Sequence, residues 1–315
     1  MDWKAAQNSD GGWAYGRSGY SRSRSALPSP SWTEPTVFAL LAQSAAGVDR
    51  ESEVFSAGVR FLRSMEGPDG GFRPQPEVRE STWVTALAAL LPAGVLDAGR
   101  YARAIGWLKG QTGRESGWRY RLEQRLHGNS AEFPQGWAWF PGAAAWVIPT
   151  SLGIMAFERA LTRSNDDALA ARIDAGRHFL LSRACADGGW NHGANQALGK
   201  DGDSYPETTG IALLALAGAA TSKNISADSR ARIDRGRAAA RKHLATCRAA
   251  EGVAWLRMGL AAHGEMLRSP LQPVCRTNMD EALMALADAA VNPLTTNALS
   301  ANPISADRGS GTVRL

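Results

Sequence analysis

Asp187-Gly188-Gly189-Trp190 and, beyond a loop, Glu207-Thr208-Thr209-Gly210-Ile211-Ala212-Leu213-Leu214-Ala215-Leu216 form the stretch that decides the fold. A Gly-Gly-aromatic turn is followed there by a segment without a polar face. The turn recurs as Asp10-Gly11-Gly12-Trp13, Asp69-Gly70-Gly71-Phe72 and Ser116-Gly117-Trp118, with a weaker copy at Glu251-Gly252-Val253. Amphipathic segments precede it, as in Val59-Arg60-Phe61-Leu62, Ile105-Gly106-Trp107-Leu108 and Arg177-His178-Phe179-Leu180. The apolar segments that follow open with Glu34-Pro35-Thr36, Glu80-Ser81-Thr82, Ile148-Pro149-Thr150 and Glu207-Thr208-Thr209. Self-similarity at a period of roughly 45–60 residues marks a repeat architecture.

Two kinds of helix alternate. Segment 52–66 sets Val54, Ala57, Gly58, Phe61 and Leu62 on one stripe, with Glu53, Arg60 and Arg63 elsewhere, which is a helix with one wet face. Segment 206–220 is apolar or small all round and must be buried. Wet-faced helices alternating with buried ones describe two concentric layers: an all-α, single-domain α/α toroid of about five to six helix pairs. It spans residues 1–290. Because each pair is a hairpin, the inner helices run parallel and their N-termini emerge at one mouth, where function is expected. The turn glycines supply positive φ at the end of each outer helix, and the aromatic packs over the turn. Residues 119–135 read as an insertion on the binding face, and residues 291–315 as a disordered tail.

With 315 residues and 44% hydrophobic side chains the chain can bury a large core, and it contains no run long enough to cross a bilayer. The start Met1-Asp2-Trp3-Lys4 lacks the apolar run of a secretory signal, so a cytoplasmic location is expected. Cys185, Cys247 and Cys275 show neither disulfide nor metal spacing. The net charge of +5 is scattered over amphipathic segments. It is compatible with an anionic ligand group or a peripheral membrane surface, and no nucleic-acid motif accompanies it.

The order aromatic-Leu, Gln (Gln7, Gln111), then Gly-x-Trp resembles the QW repeat of squalene–hopene cyclases and related terpene cyclases. Protein prenyltransferase β subunits share that toroid. Gly136-Trp137-Ala138-Trp139-Phe140-Pro141-Gly142, leading to Trp146-Val147-Ile148-Pro149-Thr150, resembles the cyclase segment that enters the acidic cluster. The resemblance covers about residues 1–290 and implies the toroid, an isoprenoid or other apolar partner, and chemistry in the barrel cavity. The sequence departs from the family where its acid would stand: DxDD is replaced by Trp146-Val147-Ile148-Pro149, and no DDxxD-type cluster is present. Cys275, His263 and Asp280 do not match the spacing of a prenyltransferase zinc site, so neither metal nor cofactor is expected.

Acids that converge on the mouth are Glu34, Glu80 and Glu207. Capping and helix-dipole complementarity, about 0.5–1 kcal/mol each, would explain them without a substrate. The positive helix end also favours the anion, so a catalytic acid there needs burial or a second carboxylate. Asp203 with Glu207 is the expected coupled pair, shielded by Tyr205, with Glu77 and Glu80 beside Arg79 the second choice. Trp83, Trp137, Trp139, Phe140, Trp146 and Tyr205 are the expected aromatic wall, either for a carbocation or for a chain bound without reaction. Arg73, Arg79, Arg119 and Arg121 in the mouth loops are the expected clamps for an anionic head group such as a diphosphate. Three readings stand side by side: a terpene-cyclase-like isomerase or lyase, a lipid- or partner-binding toroid without catalysis, and a carbohydrate-active α/α barrel using carboxylates across the cleft.

Overall fold

The structure is a computed structural model that describes residues 2–16, 29–117, 120, 122, 125–126, 135–193, 196–197, 200–221, 225–290 and 292–294. Among them are eleven α-helices: α1 (Trp3–Ala6), α2 (Thr33–Ala45), α3 (Glu53–Ser64), α4 (Val84–Ala89), α5 (Ala98–Lys109), α6 (Val147–Leu161), α7 (Asp167–Ser182), α8 (Pro206–Ala220), α9 (Ala227–Thr246), α10 (Ala250–Ala262) and α11 (Asn278–Asp288). A short antiparallel hairpin pairs β1 (Gln196–Ala197) with β2 (Lys200–Asp201).

Helices α2, α4, α6, α8, α10 and α11 touch in that order, and α11 returns to α2, so the inner layer is a closed ring. The outer helices lie against it: α3 packs on α2, and α5, α7 and α9 each pack on the inner helices that precede and follow them in sequence. The chemistry of the two layers follows the sequence pattern. Nearly every residue of α8 from Thr208 to Leu216 is buried, whereas α9 buries chiefly Ile233, Gly236, Ala239, Ala240 and Leu244. In chain order outer and inner helices alternate five times, from α1–α2 to α9–α10. The sixth inner helix, α11, is reached through the irregular stretch 263–277 in place of an outer helix.

One turn is built repeatedly. Gly11, Gly70 and Gly188 have φ of +89°, +84° and +93°. The aspartate before each accepts a hydrogen bond from the backbone N–H two residues on, at 2.9, 3.2 and 3.1 Å. It accepts a second from Ser31, Ser81 or Ser204, at 2.6–2.7 Å. The buried aromatic that follows donates its backbone N–H to a threonine Oγ1 inside the next inner helix: Trp13 to Thr36, Phe72 to Thr85, Trp137 to Thr150 and Trp190 to Thr209, at 2.8–3.0 Å. Where the aromatic is tryptophan, its indole N–H donates to a carbonyl of the preceding outer helix, Trp3, Leu108 or Leu180. The Leu108 and Leu180 carbonyls also accept the Gln111 and Arg183 backbone N–H at 3.2 and 3.0 Å, so the indole adds a second bond at the end of the outer helix. The indole face lies on a glycine of the following outer helix, Gly58, Gly176 or Gly236, where a Cβ would come within 2.5–2.9 Å of the ring.

This network corrects three expectations. Gly117 has φ of −67°, and the third turn is made by Gly136-Trp137; Trp118 lies outside the described residues. The second threonine is Thr85, not Thr82. Glu251-Gly252-Val253 is not a turn but the first turn of α10. The expected tail and most of the insertion 119–135 lie outside the described residues. Asn292 and Leu294 are described, and both are buried.

Candidate functional site

All six inner helices present their N-terminal turn to one cavity of about 220 Å³. Glu34, Trp83, Ile148, Glu207, Glu251 and Met279 stand at these helix starts and line it. Phe38, Leu152, Ile211 and Trp255 line it one turn deeper, and Trp139 closes it from the loop before α6. The parallel inner layer expected from the hairpin pattern is what brings these residues together. Trp83 meets Trp139 edge to face at 4.8 Å between ring centres, and Phe38 meets Trp255 likewise at 5.8 Å.

Three carboxylates therefore face an apolar, aromatic space. Glu34 and Glu207 open α2 and α8, yet neither helix has a side-chain hydrogen bond capping its N-terminus. Glu34 instead accepts a hydrogen bond from the Tyr15 hydroxyl. Burial, with a contribution from the Glu251 charge, pushes the Glu34 carboxyl up to about 7, against the lowering effect of Tyr15. Burial likewise pushes Glu251 up to about 7, reinforced by the charges of Glu207 and Asp280. The Tyr15 hydroxyl is driven far above its ordinary range by burial and by Glu34. Helix N-termini favour anions by about 0.3–1 kcal/mol each, a smaller effect than the desolvation of a carboxylate among aromatic rings. Both carboxyls are thus raised from the usual carboxylate range to about 7.

The sequence-predicted residues separate into those that reach the cavity and those that do not. Glu34, Glu207, Trp83 and Trp139 line it. Glu80 is exposed on a loop, for a local reason: Ser81 and Thr85 are four residues apart, whereas Ser31–Thr36 and Ser204–Thr209 are five apart. The position two residues before the threonine is therefore Trp83 in this repeat, where the others carry Glu34, Ile148 and Glu207. Asp203 is exposed and does not line the cavity; the cavity carboxyl that the Glu207 charge pushes up, after burial, is Glu251. Trp137, 2% exposed, is the buried indole of its repeat, with the Arg172 guanidinium 3.7 Å over its ring. Phe140, Trp146 and Tyr205 are 57%, 37% and 43% exposed and belong to the rim. Trp146 and Tyr205 stand one residue before α6 and α8 and flank His192 there. Arg73 donates to the Ser64 and Met65 carbonyls at 2.5 and 3.4 Å, closing the end of α3 rather than clamping a ligand. Arg119 and Arg121 lie outside the described residues, and Arg79 is exposed. His263 bonds the Leu213 carbonyl, and Asp280 completes the capping box of α11.

Sequence reasoning missed Tyr15 and Glu251. Glu251 carried a usable signal, since Glu251-Gly252-Val253-Ala254-Trp255-Leu256 opens an apolar stretch just as Glu207 does. Tyr15 carried none, because its bond to Glu34 forms where two segments distant in sequence meet.

A second cavity of about 640 Å³ lies at the other end of α6 and α8. It is walled by residues such as Met155, Leu161, Ile173, Leu214 and Leu294, and its Glu158 and Arg177 pair with each other at 2.8 Å. No helix among the described residues is long and apolar enough to cross a membrane.

No protein-family model matches the sequence, and no curated protein matches it. Among solved structures the chain is similar to a GH76 α-mannanase from Bacteroides thetaiotaomicron, with TM-score 0.55 and 8% identity over 85% of this chain and 86% of that one. It is similar also to a type II terpene cyclase from Scytonema in complex with its substrate geranylgeranyl dihydroxybenzoate. That match has TM-score 0.50 and 15% identity, covering 90% of this chain and 73% of that one. A second structure of that cyclase matches with the same score and identity over 93% of each chain. Both relatives are α/α toroid enzymes, and at these identities the likeness shows the fold alone: this chain is an all-α toroid.

Proposed function

We propose that the protein catalyses proton-initiated isomerisation or cyclisation of a small isoprenoid alkene in the cavity ringed by the inner helices. The observation that carries this reading is a carboxylic acid, Glu34, held protonated to about neutral pH inside an aromatic wall. An acid of this kind is poised to give a proton near pH 7, and its neighbour Glu251, titrating in the same range, is poised to take one. Together the two hold roughly one proton at neutral pH, as expected for coupled sites. Glu34 adds its proton to one carbon of the double bond, whose π electrons form the new C–H bond, leaving a cation at the more substituted carbon. Phe38, Trp83, Trp139 and Trp255 present ring surface to that cation, worth about 0.5–2 kcal/mol each. The Tyr15 hydroxyl steadies the Glu34 anion as it forms. Loss of a neighbouring proton to Glu251 then yields the isomerised or cyclised alkene.

Apart from its three glutamates and the indole N–H groups, the described wall carries no amide, hydroxyl or cationic side chain, which suits a hydrocarbon better than a polyol. A volume of about 220 Å³ lies below the usual range for cofactor-sized ligands and favours a short prenyl chain over squalene. The cyclase resemblance of the Gly136–Thr150 segment supports the same substrate class, with the acid moved from α6, where Ile148 stands, to α2.

The test is incubation with prenyl alcohols, prenyl diphosphates and squalene in deuterated water, followed by mass spectrometry. A new product carrying deuterium, lost in Glu34→Gln, is the expected result. Retention of an isoprenoid with neither product nor exchange would replace this reading with a binding role. Turnover of oligosaccharides instead would replace it with the carbohydrate-active one.

A further inference from the structure

The two ends of the described chain meet beside Glu34. Gly16 pairs with Thr277 in a β-bridge, and Asn278, the first residue of α11, is buried against the N-terminal segment. Its backbone N–H, one of the donors a helix start leaves unpaired, is given to the Tyr15 carbonyl at 2.9 Å. Its side-chain amide nitrogen donates to the carbonyls on either side, Ala14 at 3.0 Å and Gly16 at 3.1 Å. Three consecutive carbonyls are thus held by one residue, and both hydrogens of the amide are used. A side chain that only accepts cannot do this. Trp32 meets the Tyr15 ring edge-on at 5.5 Å.

We propose that Asn278 is a positioning residue of the cavity: by clamping Ala14–Gly16 it sets the Tyr15 hydroxyl on Glu34, so that closure of the ring and the state of the acid are linked. The inference deepens the proton-transfer reading of the same cavity. The ionisable groups that act on Glu34 are Tyr15 from the N-terminal segment and Glu251 from α10; Glu207 from α8 and Asp280 from α11 act on Glu251.

The experiment is a substrate-free titration of the full chain carrying ¹³C-labelled glutamate, with the Glu34 signal assigned by its absence in Glu34→Gln. The Tyr15 hydrogen bond favours the Glu34 anion, so Tyr15→Phe should raise the Glu34 midpoint by about one pKa unit. Asn278→Ala should raise it similarly, and in the Tyr15→Phe background should add nothing, because both act through one contact. Asn278→Ser, which keeps a donor for one carbonyl, should give an intermediate rise and serves if the alanine variant does not fold. An unmoved midpoint in the Asn278 variants would overturn the proposal. So would a rise that is just as large without the Tyr15 hydroxyl. Because no substrate is present, absence of alkene turnover would sink the proton-transfer reading while leaving this one standing.

Discussion

Replacing Glu251 with glutamine tests the electrostatics of the cavity without reference to any substrate. In the folded protein Glu251 titrates at about 7, against 4.5 when solvated. At about 1.4 kcal/mol per pKa unit, ionising it in place costs about 3 kcal/mol of folding stability. The sign follows from proton counting. Between about pH 4.5 and 7 the native chain retains a proton that the unfolded chain has released, so stability falls as pH rises through this window and is flat above it. Stability is fully present below the unfolded value and is lost by the time the folded value has been passed. Glu251→Gln removes this titration and also one of the charges that raise Glu34. Urea unfolding followed by tryptophan fluorescence at about pH 5 and about pH 8.5 should therefore show the variant gaining about 3 kcal/mol on the natural protein between the two. Groups outside the cavity titrate alike in both chains and cancel, and the lowered Glu34 adds to the gain in the same direction. A stability difference that is the same at both pH values would refute the claim that Glu251 is held protonated by burial, and with it the proton exchange proposed for the cavity.

Three further outcomes concern the frame. Gly210→Ala should destabilise by more than about 3 kcal/mol, because its Cβ would fall 2.2 Å from the Trp255 carbonyl carbon, on rigid backbone where α8 meets α10. Gly106→Ala, at an exposed position of α5 with open space around it, should stabilise by about 0.5–1 kcal/mol in the same unfolding assay. Thr209→Val should cost about 1–3 kcal/mol, since it leaves the buried Trp190 N–H without its acceptor, and the loss should show as a lower urea midpoint.

Much of the frame is local and could be read from the chain. A wet stripe in 53–64 against an apolar surround in 206–220 assigns outer and inner helices, because burial follows from the side chains each segment carries. The Asp-Gly-Gly-aromatic turn declares itself by its need for positive φ, and the shared mouth follows from hairpin order alone. Glu34 and Glu207 were legible as mouth acids for that reason, as were Trp83 and Trp139 as wall. Where the repeat slips by one residue, as before Thr85, the same logic misplaces Glu80, since the register is set by a hydrogen bond to Phe72 and not by the residue types. Other features belong to the folded ring. Tyr15 meets Glu34 where α11 closes against α2 and Asn278 bonds the Ala14–Gly16 carbonyls. Whether a glutamate at a helix start is a solvated cap or a proton donor depends on what the other five helices bring to the same space. Desolvation is a sum over neighbours distant in sequence, so it exists only once the tertiary structure has assembled them.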